Sequence, residues 1–200
     1  MPMAIDRGTF VAARMRADER LTLASMSEAG EGQFSMRALA ERGVTRSGQW
    51  WDYATGVLGC LPLSSASRGM DLLFGGDLPV GAGLSSSASM TLATAVALNG
   101  LLDLHLDVQA AVEAALCAER DFVGVQCGIM DPYAVGHARQ GHLLLLDCTT
   151  RAFEHVRLDA ERYGVCVVDT GVRRELASGE FNLRVEQCAA AYAELSAFCD

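Results

Sequence analysis

Residues 77–90, DLPVGAGLSSSASM, constrain the fold of this chain more than any other stretch. A short apolar strand at 71–74 (DLLF) ends in Gly75-Gly76 and runs into Pro79, Gly81 and Gly83. Leu84, Ser85, Ser86 and Ser87 then lead into an Ala-rich segment, apolar on most sides, that reaches about Leu102. A helix that is apolar all round has to be buried, so strand and helix share one core and the loop between them is pinned at both ends. Glycine permits left-handed backbone and close approach of a phosphate. The first turn of the helix offers unpaired N–H groups and the positive end of its dipole. Serine hydroxyls donate to phosphate oxygens or serve as hard oxygen ligands to Mg²⁺. The pattern predicts an anion cradle; a plain Gly/Ser turn with a serine N-cap accounts for the same letters, and on these residues alone both stay open.

The rest of the chain reads as mixed strand and helix. Residues 8–25 alternate apolar and polar around Ala17-Asp18-Glu19, as a β-hairpin does. Helical spacing marks 49–60, 108–122 and about 180–198, and strands are expected at 142–147, 152–157 and 165–169. The elements are segregated rather than strictly alternating, which gives an α+β class. No repeat and no low-complexity tract is present.

Composition narrows the function. Half of the 200 residues are apolar and 20% are charged, enough for a sizeable core. Twenty-five acidic against 16 basic residues give a net charge of -9, which argues against a nucleic-acid partner. All the basic residues are Arg; without Lys there is neither a Walker-type P-loop nor Schiff-base chemistry on lysine. The seven cysteines are odd in number and show no CxxC spacing, so a disulfide framework or zinc site is not expected and a reducing cytoplasm is. Cys117 and Cys166, inside apolar runs, are expected to be small core residues. The longest apolar segments are broken by Asn99, Asp103 and His105, short of a membrane span, and no signal peptide is evident.

Two further stretches carry candidate chemistry. In residues 119–133, ERDFVGVQCGIMDPY, Glu119 and Asp131 put two carboxylates within twelve positions of each other. Beside a phosphate cradle they suit metal binding and general-base work; equally, Glu119 could face solvent and Asp131 could cap a helix beginning at Pro132. In residues 171–188, GVRRELASGEFNLRVEQC, Arg173 and Arg174 could meet phosphates or form a solvated surface pair. The four histidines show no ligand spacing and receive no role.

Taken together, these stretches resemble the GHMP small-molecule kinases, and galactokinases in particular. PVGAGLSSSAS is similar to the family's second signature. FVGVQCGIMD, GVRRELASGEFN, PMAIDRGTFVAAR and WWDYATGVLG resemble galactokinase segments, in the right order, over essentially the whole chain. The resemblance implies a ribosomal-protein-S5-like α+β domain over residues 1–160 and the start of a ferredoxin-like C-terminal domain over 161–200. It implies transfer of a phosphoryl group from MgATP to the C1 hydroxyl of galactose, with galactose and ATP as partners. Asp131 matches the catalytic aspartate and Gly128 a backbone contact to the sugar. Glu119 and Ser87 match the magnesium ligands, and Pro79, Gly81, Gly83, Leu84, Ser85, Ser86 and Ser87 belong to the phosphate loop. Arg173 matches an arginine near the nucleotide phosphates, and Trp51 falls in the region lining the adenine pocket.

The match has departures. Pro132 stands where the family commonly has Gln, and Phe181 where it commonly has a sugar-contacting Tyr. The family's earlier GRxNLIGEHxDY-type signature and its later glycine-rich one do not occur in this chain, so a piece cut at both ends, inactive by itself, is expected. The competing expectations are another GHMP sugar kinase, a non-catalytic galactose/ATP-binding sensor, or an inactive fragment. Neither oligomeric state nor anomer preference follows from the sequence.

Overall fold

A computed structural model describes residues 2–41, 43–63, 68–171 and 180–199. Its strands are β1 (Thr9–Met15), β2 (Arg20–Ser25), β3 (Gly32–Ser35), β4 (Met70–Gly76), β5 (His142–Leu146) and β6 (Phe153–Arg157). Its helices are α1 (Met36–Ala40), α2 (Asp52–Cys60), α3 (Ser86–Leu102), α4 (Val108–Cys117), α5 (Met130–His137) and α6 (Glu180–Cys199). A π-helical segment, Ala118–Val123, continues α4.

The first four strands form one sheet in the order β1-β4-β2-β3. The hairpin expected over 8–25 is therefore corrected: β1 and β2 do not pair with each other, because β4 lies between them. It runs antiparallel to β1 and parallel to β2. The reason lies in β4 itself. Met70, Leu72 and Phe74 are its most deeply buried side chains, and a strand that apolar is most stable at the centre of the sheet. The connection between β1 and β2 instead arches around Gly69. The Arg16 N–H donates to Gly69 O at 2.7 Å, and Gly69 N–H donates to Asp18 O at 2.6 Å. Arg16 also pairs with both Asp18 and Asp71, tying the arch to the inserted strand.

Helix α3 joins α2, α4 and α5 to this sheet. α3 lies across β1 and contacts α2, α4 and α5, with residues such as Ala88, Leu92, Ala95 and Leu98 buried. The burial expected for this helix is observed on most of its sides, with Val96 and Gly100 left exposed, and the α+β class is observed too. β5 and β6 form a separate antiparallel pair, reached by α5 and by an isolated bridge from Met3 to Leu143.

The helix expected over 108–122 is present, as α4 followed by π geometry after Cys117. Two further expectations are corrected. The strand expected at 165–169 is absent among the described residues: Val165, Val167 and Val168 are exposed, and no described neighbour strand satisfies their backbone. Cys117 is not a free core thiol but is bonded to Cys60, joining the last residues of α4 and α2 across 57 positions, while Cys166 is exposed. Spacing along the chain could not reveal that pair, because two separate helices bring its members together.

A Cβ on Gly69 would lie 2.5 Å from Arg20 N, 2.7 Å from Asp18 O and closer still to Arg20 O, all of them backbone atoms that cannot turn aside. Gly69→Ala should therefore cost about 3 kcal/mol, the upper end of overpacking penalties. Gly59→Ala, in α2 with nothing within 4 Å, should be neutral or stabilising by a few tenths of a kcal/mol. Thermal unfolding of the two variants checks the difference; equal melting temperatures would contradict the threaded arrangement.

Candidate functional site

The glycine–serine loop is fixed at both ends. Where β4 stops, Asp77 accepts hydrogen bonds from Gly8 N–H at 3.0 Å and Arg7 Nη1 at 3.1 Å. At the far end, Ser89 Oγ in α3 donates to Thr9 Oγ1 at 2.9 Å. In between, Gly81 (φ 70°), Gly83 (φ 77°) and Ser85 (φ 56°) all have left-handed backbone. Such residues are the building blocks of backbone nests for anions. For Ser85 that conformation costs roughly 1–2 kcal/mol, a strain typical of functional turns. Ser85 is the N-cap of α3, yet its side chain makes no capping hydrogen bond. The first amides of a buried 17-residue helix are thus left to other partners.

Two cavities flank this loop, and Leu78 lines both. One, of about 200 Å³, is bordered by Trp50, Tyr53, Gly81, Ser86, Ser87 and Met90, among others. The other, of about 500 Å³, is bordered by Gly83, Leu84, Ser85, Asp131, Val165 and Val167, among others. The consecutive serines divide the two spaces: Ser85 faces the second, Ser86 and Ser87 the first.

Glu119 lies in the π-helical segment and is only 2% exposed. The wider π turn brings its carboxylate against α3: Ser87 Oγ donates to Oε2 at 3.2 Å and Thr91 Oγ1 to Oε1 at 3.5 Å. Burial pushes Glu119 up to about 7; the Ser87, Cys127 and Thr91 side chains oppose the shift, while the charge of Asp131 adds to it. Cys127, beside it, is driven up to about 12, chiefly by burial and by the Glu119 charge, and stays a thiol. Ser87 and Glu119 are thus a hydroxyl and a carboxylate side by side at the start of α3. These are hard oxygen donors of the kind Mg²⁺ takes together with substrate phosphates. Among the described residues there is no cluster of three or more His, Cys, Asp or Glu side chains that could bind a metal.

Asp131 stands in the first turn of α5, half-buried on the wall of the larger cavity. It does not cap a helix beginning at Pro132, since α5 begins one residue before Asp131 and its N-cap is Ile129. Gly128 is exposed in the loop between the π segment and α5, with open space where a Cβ would point. Pro79 lies on the loop but does not border either cavity. Trp51 does not border the cavity beside the loop. It packs on β3, where a Cβ on Gly32 would lie 2.9 Å from its ring, and the cavity position next to the loop belongs to Trp50. Asp52 sets this orientation by accepting from Ser47 N–H, Ser47 Oγ and Gly48 N–H, which fixes the turn preceding α2. Phe181 is exposed at the start of α6 and does not border the Asp131 cavity. Arg173 lies outside the described residues.

Trp50, Tyr53 and Thr91 carried no readable signal. Trp50 and Tyr53 look like ordinary amphipathic helix positions, and Thr91 like one more small residue of a buried helix. Only the packing of α2 and the π segment against α3 brings them to the site.

Residues 52–139 match the model of the GHMP kinases N terminal domain. The galactokinase of Chloroflexus aurantiacus is 39% identical over 188 residues, which cover 94% of this chain and 47% of that protein. The galactokinase of Enterococcus faecalis is 37% identical, covering 94% of this chain and 49% of that protein. Among solved structures, Lactococcus lactis galactokinase complexed with galactose superposes with a TM-score of 0.81 at 28% identity, over 99% of this chain and 51% of that one. A mevalonate kinase shares the fold at a TM-score of 0.66 and 16% identity. The chain spans about half the length of the curated relatives it matches.

Because Glu119 is raised from 4.5 to about 7 in the folded protein, it holds a proton there over a pH range in which the unfolded chain has released it. Its contribution to stability is complete below about pH 4.5 and is lost as pH rises to about 7. The loss should be on the order of 3 kcal/mol, from 1.36 kcal/mol per pKa unit. Glu119→Gln should flatten the stability profile across that window in denaturant titrations without added metal. A variant profile as steep as the wild type would contradict the assignment.

Proposed function

We propose, on the premise that this chain belongs to the GHMP kinases, that the protein phosphorylates galactose at its C1 hydroxyl with MgATP. The observation that carries this reading is the position of the strained serine turn between two cavities, with the Glu119–Ser87 pair on one side and Asp131 on the other. The likeness to galactokinases along nearly the whole chain supports the choice of sugar. Residues 161–200 belong, on this reading, to the beginning of a second domain.

Phosphoryl transfer asks mainly for positioning and for neutralisation of charge. The amides of the first turn of α3, with the hydroxyls of Ser86 and Ser87, would hold the transferred phosphate at the positive end of the helix. ATP would approach through the cavity bordered by Trp50 and Tyr53, whose rings offer an apolar wall for a base. Glu119 and Ser87 would hold Mg²⁺, which when bound supplies positive charge to the phosphate oxygens. Ionising Glu119 for that purpose releases the proton it otherwise keeps near neutrality. Galactose would sit in the larger cavity, with the Asp131 carboxylate accepting the C1 hydroxyl proton as the sugar oxygen bonds to the terminal phosphorus and the bond from that phosphorus to the departing ADP breaks.

Asp131→Asn removes the proton acceptor and little else. In the protein that contains this chain, galactose-dependent ADP release should fall at least about 10²-fold, the lower end of what a general base contributes. Binding of galactose and of MgATP, followed by calorimetry, should persist. Turnover within about tenfold of the parent would remove Asp131 from that role.

A further inference from the structure

Eleven residues separate Glu119 from Asp131, and those at 124–128 have no regular secondary structure. Gly124 takes a left-handed φ of 80°, after which the loop is held from inside. Val125 N–H donates to Glu119 O, and Arg120 donates through Nε and Nη2 to Cys127 O. Two backbone groups on its outer edge, Gly124 O and Gln126 N–H, have a different partner. Asn182, near the start of α6, donates from Nδ2 to Gly124 O at 2.8 Å and accepts at Oδ1 from Gln126 N–H at 2.9 Å. A carbonyl and the N–H two residues later point the same way along extended backbone, so this carboxamide fills the place of a neighbouring strand's peptide group. The chain uses the same device elsewhere, where Asn99 clamps both backbone groups of Leu106.

The rest of α6 sharpens the point. From Phe181 to Phe198 nearly every side chain is exposed, and Asn182 is one of two that are partly covered. The helix thus meets the loop through the one side chain that makes both hydrogen bonds. That loop joins the π-helical segment, which carries Glu119, to α5, which carries Asp131.

We infer that Asn182 is a positioning residue: its carboxamide sets the spacing between Glu119 and Asp131 by clamping the 124–126 backbone, and it touches neither substrate. This rests on the proposed galactokinase reading only for its catalytic consequence. Misplacing a reacting group by about 1 Å can cost as much as 10²-fold in rate. Aspartate at this position is nearly isosteric and still accepts from Gln126 N–H, but it sets a charge against Gly124 O where a donor is needed.

The test uses Asn182→Ala and Asn182→Asp in the full-length protein, with two readouts. Amide hydrogen exchange should speed up about tenfold at Gln126 in the alanine variant, while the buried amides of α3 keep their rates and the melting temperature hardly changes. In galactose phosphorylation, both variants should lower kcat about tenfold and leave the KM values for galactose and MgATP nearly unchanged, the pattern of a displaced reacting group. Unchanged exchange at Gln126 in Asn182→Ala would overturn the clamp. Faster exchange with unaltered kcat would overturn the positioning role and leave only a docking contact for α6. A parent protein that binds MgATP but does not phosphorylate galactose would overturn the functional reading, while the exchange result would still decide the clamp.

Discussion

A buried carboxylate raised to about 7 needs several donors around it to be stable at all. Glu119 finds them in Ser87, Thr91 and the Cys127 thiol, and much of the architecture serves to keep it there. The switch from α to π geometry after Cys117 turns it toward α3, and the disulfide to Cys60 fixes the start of that switch to α2. In turn α3 is held across β1 through Ser89 and Thr9, and the loop ahead of it is held through Asp77. A site built this way has its polar groups set before any ligand arrives, which is how preorganised dipoles do their work.

The threading of β4 between β1 and β2 has the same consequence at longer range. It places the end of β4 beside Gly8 and Thr9, so that the glycine–serine loop leaves the sheet next to the strand on which α3 packs. A simple β1–β2 hairpin would leave β4 on an edge, with fewer neighbours to cover its apolar residues. Burial of Met70, Leu72 and Phe74 decides against that, since each fully buried side chain of this kind contributes roughly 1.5–3 kcal/mol.

Much of this was legible in the sequence where chemistry and periodicity were both local. The strand–loop–helix unit over 71–102 could be read because its glycines, serines and alanines each have a distinct physical reason to be where they are. Ser87 and Glu119 could be named as candidates, and Asp131 with them, but not their distances, because 32 positions and a π turn separate the first pair. What stayed hidden depended on contacts between segments. The order of the strands is decided by burial, the Cys60–Cys117 bond by helix packing, and the choice of Trp50 over Trp51 by a turn that Asp52 fixes. The valines at 165–168 have the composition of a strand, yet composition cannot supply the neighbour that a strand requires.

On the proposed reading, the phosphate to be transferred lies at the first turn of α3, between the two cavities. A crystal structure of the full-length protein with galactose, Mg²⁺ and a non-hydrolysable ATP analogue tests it most directly. The terminal phosphate should lie within hydrogen-bond reach of the amides of residues 86–88, with the metal touching Glu119 and Ser87 and the sugar's C1 oxygen beside Asp131. Phosphates bound away from that turn, or a sugar outside the Asp131 cavity, would contradict it.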